Sequence, residues 1–333
     1  MGERRKREAE RRIPKTISTG STLLNLALSD DPYGGFAIGT IANIIGDQSA
    51  GKSFLLWTMF AEVTYASEFD GYKLLYDEPE QALAFDLGKL FGTKVGERVE
   101  REFTSDTIED FHDNVMEQFK QDSPFIYGED SLDALTSEAE LKRDIRDGSY
   151  KMEKAKIIGE ILRKIVGKIS KSNSLLVVIS QTRDNIGITF GSKKTRSGGK
   201  ALHFYCTHEL WLAIKSHIKR KERDVGVNVI VKVGKNKLTG KLRTIEIPIL
   251  YDYGIDNVTS CINWLIEEKH WKLCKRTIET GTEFIDATME KLIIHIEENN
   301  LESRLIEIVA KKWREIEDSI ATNRRGKYDK SNE

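Results

Sequence analysis

A chain of 333 residues with a formal net charge of −1, 39% hydrophobic and 32% charged residues is long enough for one large domain with an appendage, or for two domains. That balance describes a globular protein and excludes a disordered one, and near-neutrality excludes a global attraction to nucleic acid or anionic membrane, so any DNA contact must come from local basic patches. The longest apolar runs, such as SLLVVIS at 174–180, are strand-sized against the ~20 residues a bilayer requires, so no membrane span is expected.

Residues 1–16 alternate Arg and Lys with Glu and lack the apolar stretch of a secretion signal, which predicts a cytoplasmic protein. This arm reads as a solvated helix or a disordered tail, or as a basic arm touching nucleic acid or a neighbour. Beyond it, continuous apolar runs alternate with helix-length segments. IANIIG (41–46), YKLLYD (72–77), PFIYGED (124–130) and SLLVVIS (174–180) read as buried strands. Between them, KSFLLWTMFAEVTYAS (52–67), TIEDFHDNVMEQF (107–119) and KAKIIGEILRKIVGKIS (154–170) read as helices, the last with apolar residues at i, i+3, i+4 and i+7. Strands separated by helices predict a mostly parallel sheet covered on both faces. THELWLAI, VNVIVKV and RTIEIPI follow without long helices between them, which predicts an antiparallel extension of that sheet.

After about residue 260 the character becomes helical. SRLIEIVAKKWREIEDSI puts Leu305, Val309, Trp313, Ile316 and Ile320 on one stripe that should pack. The expected organisation is a charged arm at 1–16, a core at 17–258, a small C-terminal domain at 259–322 and a disordered tail at 323–333. Cys206, Cys261 and Cys274 are widely spaced and read as reduced thiols, and His203 and His208, at i,i+5, do not share a helical face as metal ligands would.

Gly46-Asp47-Gln48-Ser49-Ala50-Gly51-Lys52-Ser53 fits G-x-x-x-x-G-K-[ST] between a predicted strand and a predicted helix, the context a phosphate loop requires. Backbone N–H groups converge on the phosphates, Lys52 bridges the outer ones and Ser53 ligates magnesium. The strand PFIYGED ends in Glu129 and Asp130, and Asp130 is the choice for the magnesium water shell, making Ser53 and Asp130 the expected metal residues. YKLLYDEPEQAL ends another strand in Asp77, Glu78 and Glu80, where a carboxylate could orient and deprotonate an attacking water.

Several segments together resemble the RecA recombinase family: ISTGSTLLNLAL, the phosphate loop, EPEQAL, EDSLDALTS, VVISQTRDNIGITFGSKKTRSGGKALHFY, and KVGKNK followed by IPILYDYGID. They occur in the family's order over roughly residues 17–255. The resemblance implies an α/β fold: a RecA-type phosphate-loop ATPase core with a mostly parallel central sheet, an antiparallel extension and a small, mainly helical C-terminal domain. It implies ATP and Mg2+ as cofactors, with Glu80 as the catalytic carboxylate and Asp130-Ser131 as the family's strand-end Asp-Ser. Gln181 matches the glutamine that senses the terminal phosphate and couples it to the following DNA loop. Lys235 and Lys237 match lysines that reach the neighbouring subunit's nucleotide, as an arginine finger does.

Arg183–Gly199 resembles the family's second DNA-binding loop. Its glycines, including Gly198 and Gly199, supply flexibility, Arg183, Lys193, Lys194 and Arg196 suit phosphates, and Ile186 and Phe190 suit stacking or wedging against bases. The first DNA loop is expected at 136–155, where Gly148, Ser149, Met152 and Lys156 match the pattern and Met152 is a possible wedge. The implied partners are single- and double-stranded DNA and further copies of the chain, in a helical filament or ring.

Three departures accompany the resemblance. Only the short charged segment at 1–16 stands where the family has an N-terminal helix and linker. Ala84, Phe85 and Leu87 replace the residues that hold adenine in the family, and the tail is mixed in charge rather than acidic. They point to a divergent or phage-encoded member. The leading expectation is a DNA-dependent ATPase that forms filaments on single-stranded DNA and promotes strand exchange. The alternatives are a recombinase paralogue that binds ATP and DNA but remodels another protein's filament, and a helicase of the same fold.

Overall fold

A computed structural model of the chain describes residues 14–81, 85–142, 151–184, 194–196, 199–322 and 324. Thr16–Ile17 (β1) pairs antiparallel with Phe36–Ala37 (β2) around a buried helix, Thr22–Ser29 (α1), whose first turn is capped by the Ser21 hydroxyl accepting from Leu24 N–H. The arm therefore ends earlier than expected. The Lys15 ammonium lies 3.9 Å from the centre of the Phe69 ring, and Thr16 is already in a ladder.

Strand Thr40–Gly46 (β3) leads through the glycine loop into Lys52–Tyr65 (α2), and Lys73–Asp77 (β4) follows. Two short helices, Leu87–Phe91 (α3) and Thr93–Arg98 (α4), precede the edge strand Val99–Glu100 (β5). Ile108–Gln118 (α5) starts in a capping box, with the Thr107 hydroxyl accepting from Asp110 N–H and the Asp110 carboxylate accepting from Thr107 N–H. Phe125–Glu129 (β6), the single turn Glu138–Leu141 (α6) and the long helix Lys151–Lys171 (α7) come next. Leu175–Asp184 (β7), Lys194–Arg196 (β8), Gly199–Tyr205 (α8), His208–Arg220 (β9), Arg223–Asn236 (β10), Thr244–Leu250 (β11) and Gly254–Ile255 (β12) complete this part.

These strands form one sheet in the order β12-β11-β10-β9-β3-β7-β6-β4-β5. Pairs from β9 across to β5 are parallel, and β9 to β12 are mutually antiparallel, as the strand spacing predicted. The parallel strands are largely apolar and buried along their length because both faces are covered. On one face Phe111 and Val115 of α5 and Ile158, Ile161 and Ile165 of α7 pack on Tyr127, Leu176 and Val178. On the other face α2 presses so closely that a Cβ on Gly128 would lie 2.7 Å from Leu56.

Two features differ from the sequence expectation. Part of the 183–199 segment is ordered ladder, with Thr182 paired to Arg196 and Asp184 to Lys194. The strands β9 and β10 run well past THELWLAI and VNVIVKV to a tight turn at Lys221 and Glu222, both at positive φ (48° and 63°). A two-residue turn with both centres left-handed matches the twist of the flanking strands, but it is usually written Asn-Gly or Asp-Gly. Lys-Glu carries no such signal.

His208, at the start of β9, is fully buried against Phe36, and its Nε2 accepts from Ala37 N–H at 3.2 Å. Burial pushes the imidazole down to about 4 from its ordinary 6.5. The native state therefore holds His208 neutral where the unfolded chain binds a proton. Its contribution, about 3 kcal/mol at 1.36 kcal/mol per pKa unit, is present above pH 6.5 and lost as pH falls from 6.5 to 4. Urea denaturation across that range should show the loss, and His208→Asn should flatten it; a parallel pH profile in the variant would refute the assignment.

The chain divides between Asn257 and Val258 into two compact units. The second contains Asn257–Glu267 (α9) from Val258 on, the hairpin Lys272–Cys274 (β13) with Thr277–Glu279 (β14), Met289–Glu298 (α10) and Glu302–Ser319 (α11). Trp264 and Trp313 meet with ring centres 5.6 Å apart, and Leu305, Val309 and Trp313 are buried as the stripe predicted. Ile320 is not part of that stripe: the helix stops at Ser319 and its side chain is 71% exposed.

Candidate active site

The parallel sheet brings the C-terminal ends of β3, β7, β6 and β4 side by side, and every charged group singled out around the phosphate loop lies at those ends. After β3 the chain turns through Asp47–Ala50, with Ser49 at φ 61° and Gly51 at φ 84°. Gly51 precedes α2 with no side-chain cap, leaving the first N–H groups of the helix to an anion. Gly46 is dictated by a close approach instead: a Cβ there would sit 2.7 Å from the Leu212 carbonyl oxygen of β9. Lys52 is buried and donates to the Asp47 carbonyl at 2.8 Å. Burial pulls its ammonium below the usual lysine range, opposed by the carboxylates of Asp130, Asp47, Glu80 and Asp133.

Asp130, just past the end of β6, is held from two sides: its backbone N–H donates to Asp77 O at 2.8 Å, and its carboxylate accepts from Tyr76 Oη at 3.0 Å and from the Ser53 hydroxyl. Burial raises its carboxyl above the usual range, while the Ser53 and Tyr76 hydrogen bonds and Lys52 pull the other way. Ser53 and Asp130 are thus adjacent hard oxygen donors, a pair that fits Mg2+.

The three carboxylates at the end of β4 separate into different situations. Asp77 is fully buried and accepts from Ser105 N–H and Oγ and from the Tyr127 hydroxyl, so it anchors the β5–α5 connection. Beside it, wholly buried Glu129 has its carboxyl pushed well up, first by burial and then by Asp77. Glu78 lines a cavity of about 840 Å³ with Glu97, Glu100 and Arg101. Glu80 alone of the three turns to the phosphate-loop side: its Oε1 accepts from Ser131 Oγ at 3.0 Å and from Gln181 Nε2 at 3.2 Å. The structure therefore brings Lys52, Ser53, Asp130, Glu80 and Gln181 together, with Thr182 donating to Asp47 across the same edge.

Lys235 and Lys237 lie elsewhere. Both fold onto the C-terminus of α8, where Lys237 donates to Phe204 O at 3.0 Å and Lys235 to the carbonyls of His203 and Phe204. Burial lowers the Lys235 ammonium, with Lys237 adding to the effect.

Of the residues read as DNA contacts, Ile186, Phe190, Lys193 and Gly198 lie outside the described residues, as do Ala84, Gly148 and Ser149. Backbone is placed for Met152 in the first turn of α7, Arg183 in β7, Lys194 and Arg196 in β8 and Gly199 at the start of α8. Lys156 is exposed on α7.

Sequence reasoning missed the tip of the β9–β10 hairpin, where Lys219, Arg220, Lys221 and Arg223 are all exposed. The run KSHIKRKER was its signal, obscured by the absence of a turn motif. A strip of this charge suits phosphates.

A glycine loop opening a helix beside strand-end acids, on a sheet parallel at its centre, defines a phosphate-loop α/β protein. The RecA N-terminal domain family matches residues 4–256. The Protein RecA of Colwellia psychrerythraea is 32% identical over 250 residues, an overlap of 74% of this chain and 69% of the relative. The chain belongs to the RecA family. Members of that family are DNA-dependent ATPases of recombination that bind ATP with Mg2+.

Proposed function

We propose that this chain hydrolyses ATP in response to single-stranded DNA, assembles on it as a filament and promotes homologous pairing and strand exchange. The observation that carries the reading is the Glu80–Gln181 hydrogen bond, which joins the carboxylate facing the phosphate loop to the strand that runs directly into 183–199. Glu80 takes the proton of the attacking water. Lys52 and the N–H groups of α2 hold the phosphates and offset charge that develops in transfer. Bound at Ser53 and Asp130, Mg2+ would neutralise phosphate charge. A terminal phosphate competes for Gln181, so binding and loss of that phosphate move the end of β7 and the DNA segment attached to it.

ATP turnover with and without single-stranded DNA at low salt tests this reading, and turnover indifferent to DNA would overturn it. The hairpin cations extend the DNA surface. Changing Lys219, Arg220 and Lys221 together to alanine should weaken DNA binding irrespective of sequence. It should also lower the slope of log affinity against log salt by up to about 2, at roughly 0.7 per phosphate contact on a single strand. An unchanged slope removes the hairpin from the interface.

A paralogue that binds ATP and DNA but remodels another filament is favoured by one feature, the inward-folded Lys235 and Lys237. Electron microscopy with single-stranded DNA and a slowly hydrolysed ATP analogue separates the two. Long helical filaments support the recombinase, and isolated particles the paralogue.

A further inference from the structure

We propose that Asp133 and Lys154 form a clamp that ties both DNA-assigned segments to Glu80 and sets how strongly DNA stimulates ATP turnover. The proposal rests on the reading of the chain as a DNA-stimulated ATPase.

The ladder between β6 and β7 stops at Glu129 and Val178, but β7 continues to Asp184. Past that point the backbone groups of β7 on the β6 side need other partners. The turn after β6 supplies them: Leu132 N–H donates to Ile179 O at 3.2 Å, and two residues on, Gln181 N–H donates to the Asp133 carboxylate at 2.6 Å. A carboxylate accepting a backbone N–H makes a charge-assisted bond, stronger than the neutral one a strand would offer. Asp133 thereby continues the sheet by one residue, at the residue whose side chain holds Glu80.

The other half of the clamp comes from α7. Lys154, in its first helical turns, donates to the carbonyls of Asp133 (3.1 Å) and Leu135. One continuous path of hydrogen bonds therefore runs from Lys154 through Asp133 and Gln181 to Glu80, whose Oε1 also accepts from Ser131 of the same turn. The helix at one end begins inside the 136–155 segment, and the strand at the other enters 183–199. A shift of either displaces the same carboxylate. Asp133 and Lys154 are positioning residues; the proton goes to Glu80.

The test uses the full chain with Lys154→Met, which keeps the stem and removes the ammonium, Lys154→Arg, Asp133→Ala and Asp133→Asn. The readouts are ATP turnover with and without single-stranded DNA, KM for ATP, and amide hydrogen exchange across 175–184. Lys154→Met and Asp133→Ala should each reduce the ratio of DNA-stimulated to basal turnover at least tenfold with KM within twofold. Lys154→Arg and Asp133→Asn, which can remake the bonds, should recover most of the ratio. Asp133→Ala should also speed exchange across 175–184, with or without DNA. A full ratio in Lys154→Met, or unaltered exchange in Asp133→Ala, overturns the clamp. Wild-type turnover indifferent to DNA instead overturns the ATPase reading, and the coupling role with it, while the exchange result still judges the Asp133–Gln181 bond.

Discussion

Glu80→Gln is expected to lower ATP turnover by roughly 10²–10⁴-fold, the range a general base supplies, while ATP binding stays near wild type. The amide oxygen of glutamine can still accept from Ser131 and Gln181, so the local geometry survives and only the proton acceptor is lost. A structural role would show as lost affinity or a lowered melting temperature instead. Single-turnover hydrolysis alongside equilibrium ATP binding distinguishes them, and near-wild-type hydrolysis by Glu80→Gln would remove the assignment. Glu78 and Asp77 provide internal contrasts. Glu78→Gln, on the cavity side, should leave turnover within a few fold, whereas Asp77→Asn should act on folding by disturbing the bonds to Ser105 and Tyr127.

Changing Lys235 and Lys237 together to alanine is expected to reduce turnover on the order of 10³-fold, the lower end of what an arginine finger contributes. In one protomer both ammonium groups lie on the α8 carbonyls rather than at their own phosphate loop. If they act, they act on a neighbour's nucleotide. Burial and the neighbouring Lys237 disfavour the charge of the parked Lys235. On that cross-subunit reading, Lys52→Ala removes the other half of the site. A mixture of the lysine double variant with Lys52→Ala should regain activity, because some junctions then pair an intact phosphate loop with intact lysines. Mixtures that assemble but remain inactive would show that the lysines do not act across subunits.

Much of this was legible in the chain because the relevant signals are local. The phosphate loop is eight consecutive residues whose glycines are demanded by a left-handed turn and by the approach of β9. The parallel strands announce themselves as unbroken apolar runs, and α7 by its 3.6-residue period. Asp130 could be picked because it stands at the end of a strand, where a parallel sheet exposes its site, whereas Glu80 was set apart from its acidic neighbours by the resemblance of EPEQAL to the family's segment. The β9–β10 hairpin escaped for an equally local reason: Lys221-Glu222 adopts a turn its composition does not advertise.

The sequence by itself thus determined which strand ends carry acids and where the phosphates would sit. Only the tertiary structure decided which of those acids face the site. The strand order β3-β7-β6-β4 sets Gln181 against Glu80, 101 residues away in the chain, and Thr182 against Asp47, 135 residues away. It also leaves β7 longer than β6, and that mismatch gives Asp133 a backbone N–H to hold. Hydrogen bonds at such separations depend on strand order and length, which no spacing along the chain encodes. Asp77, Glu78 and Glu80 read alike by position, with only the resemblance setting Glu80 apart, and folding made them an anchor, a cavity wall and a candidate base.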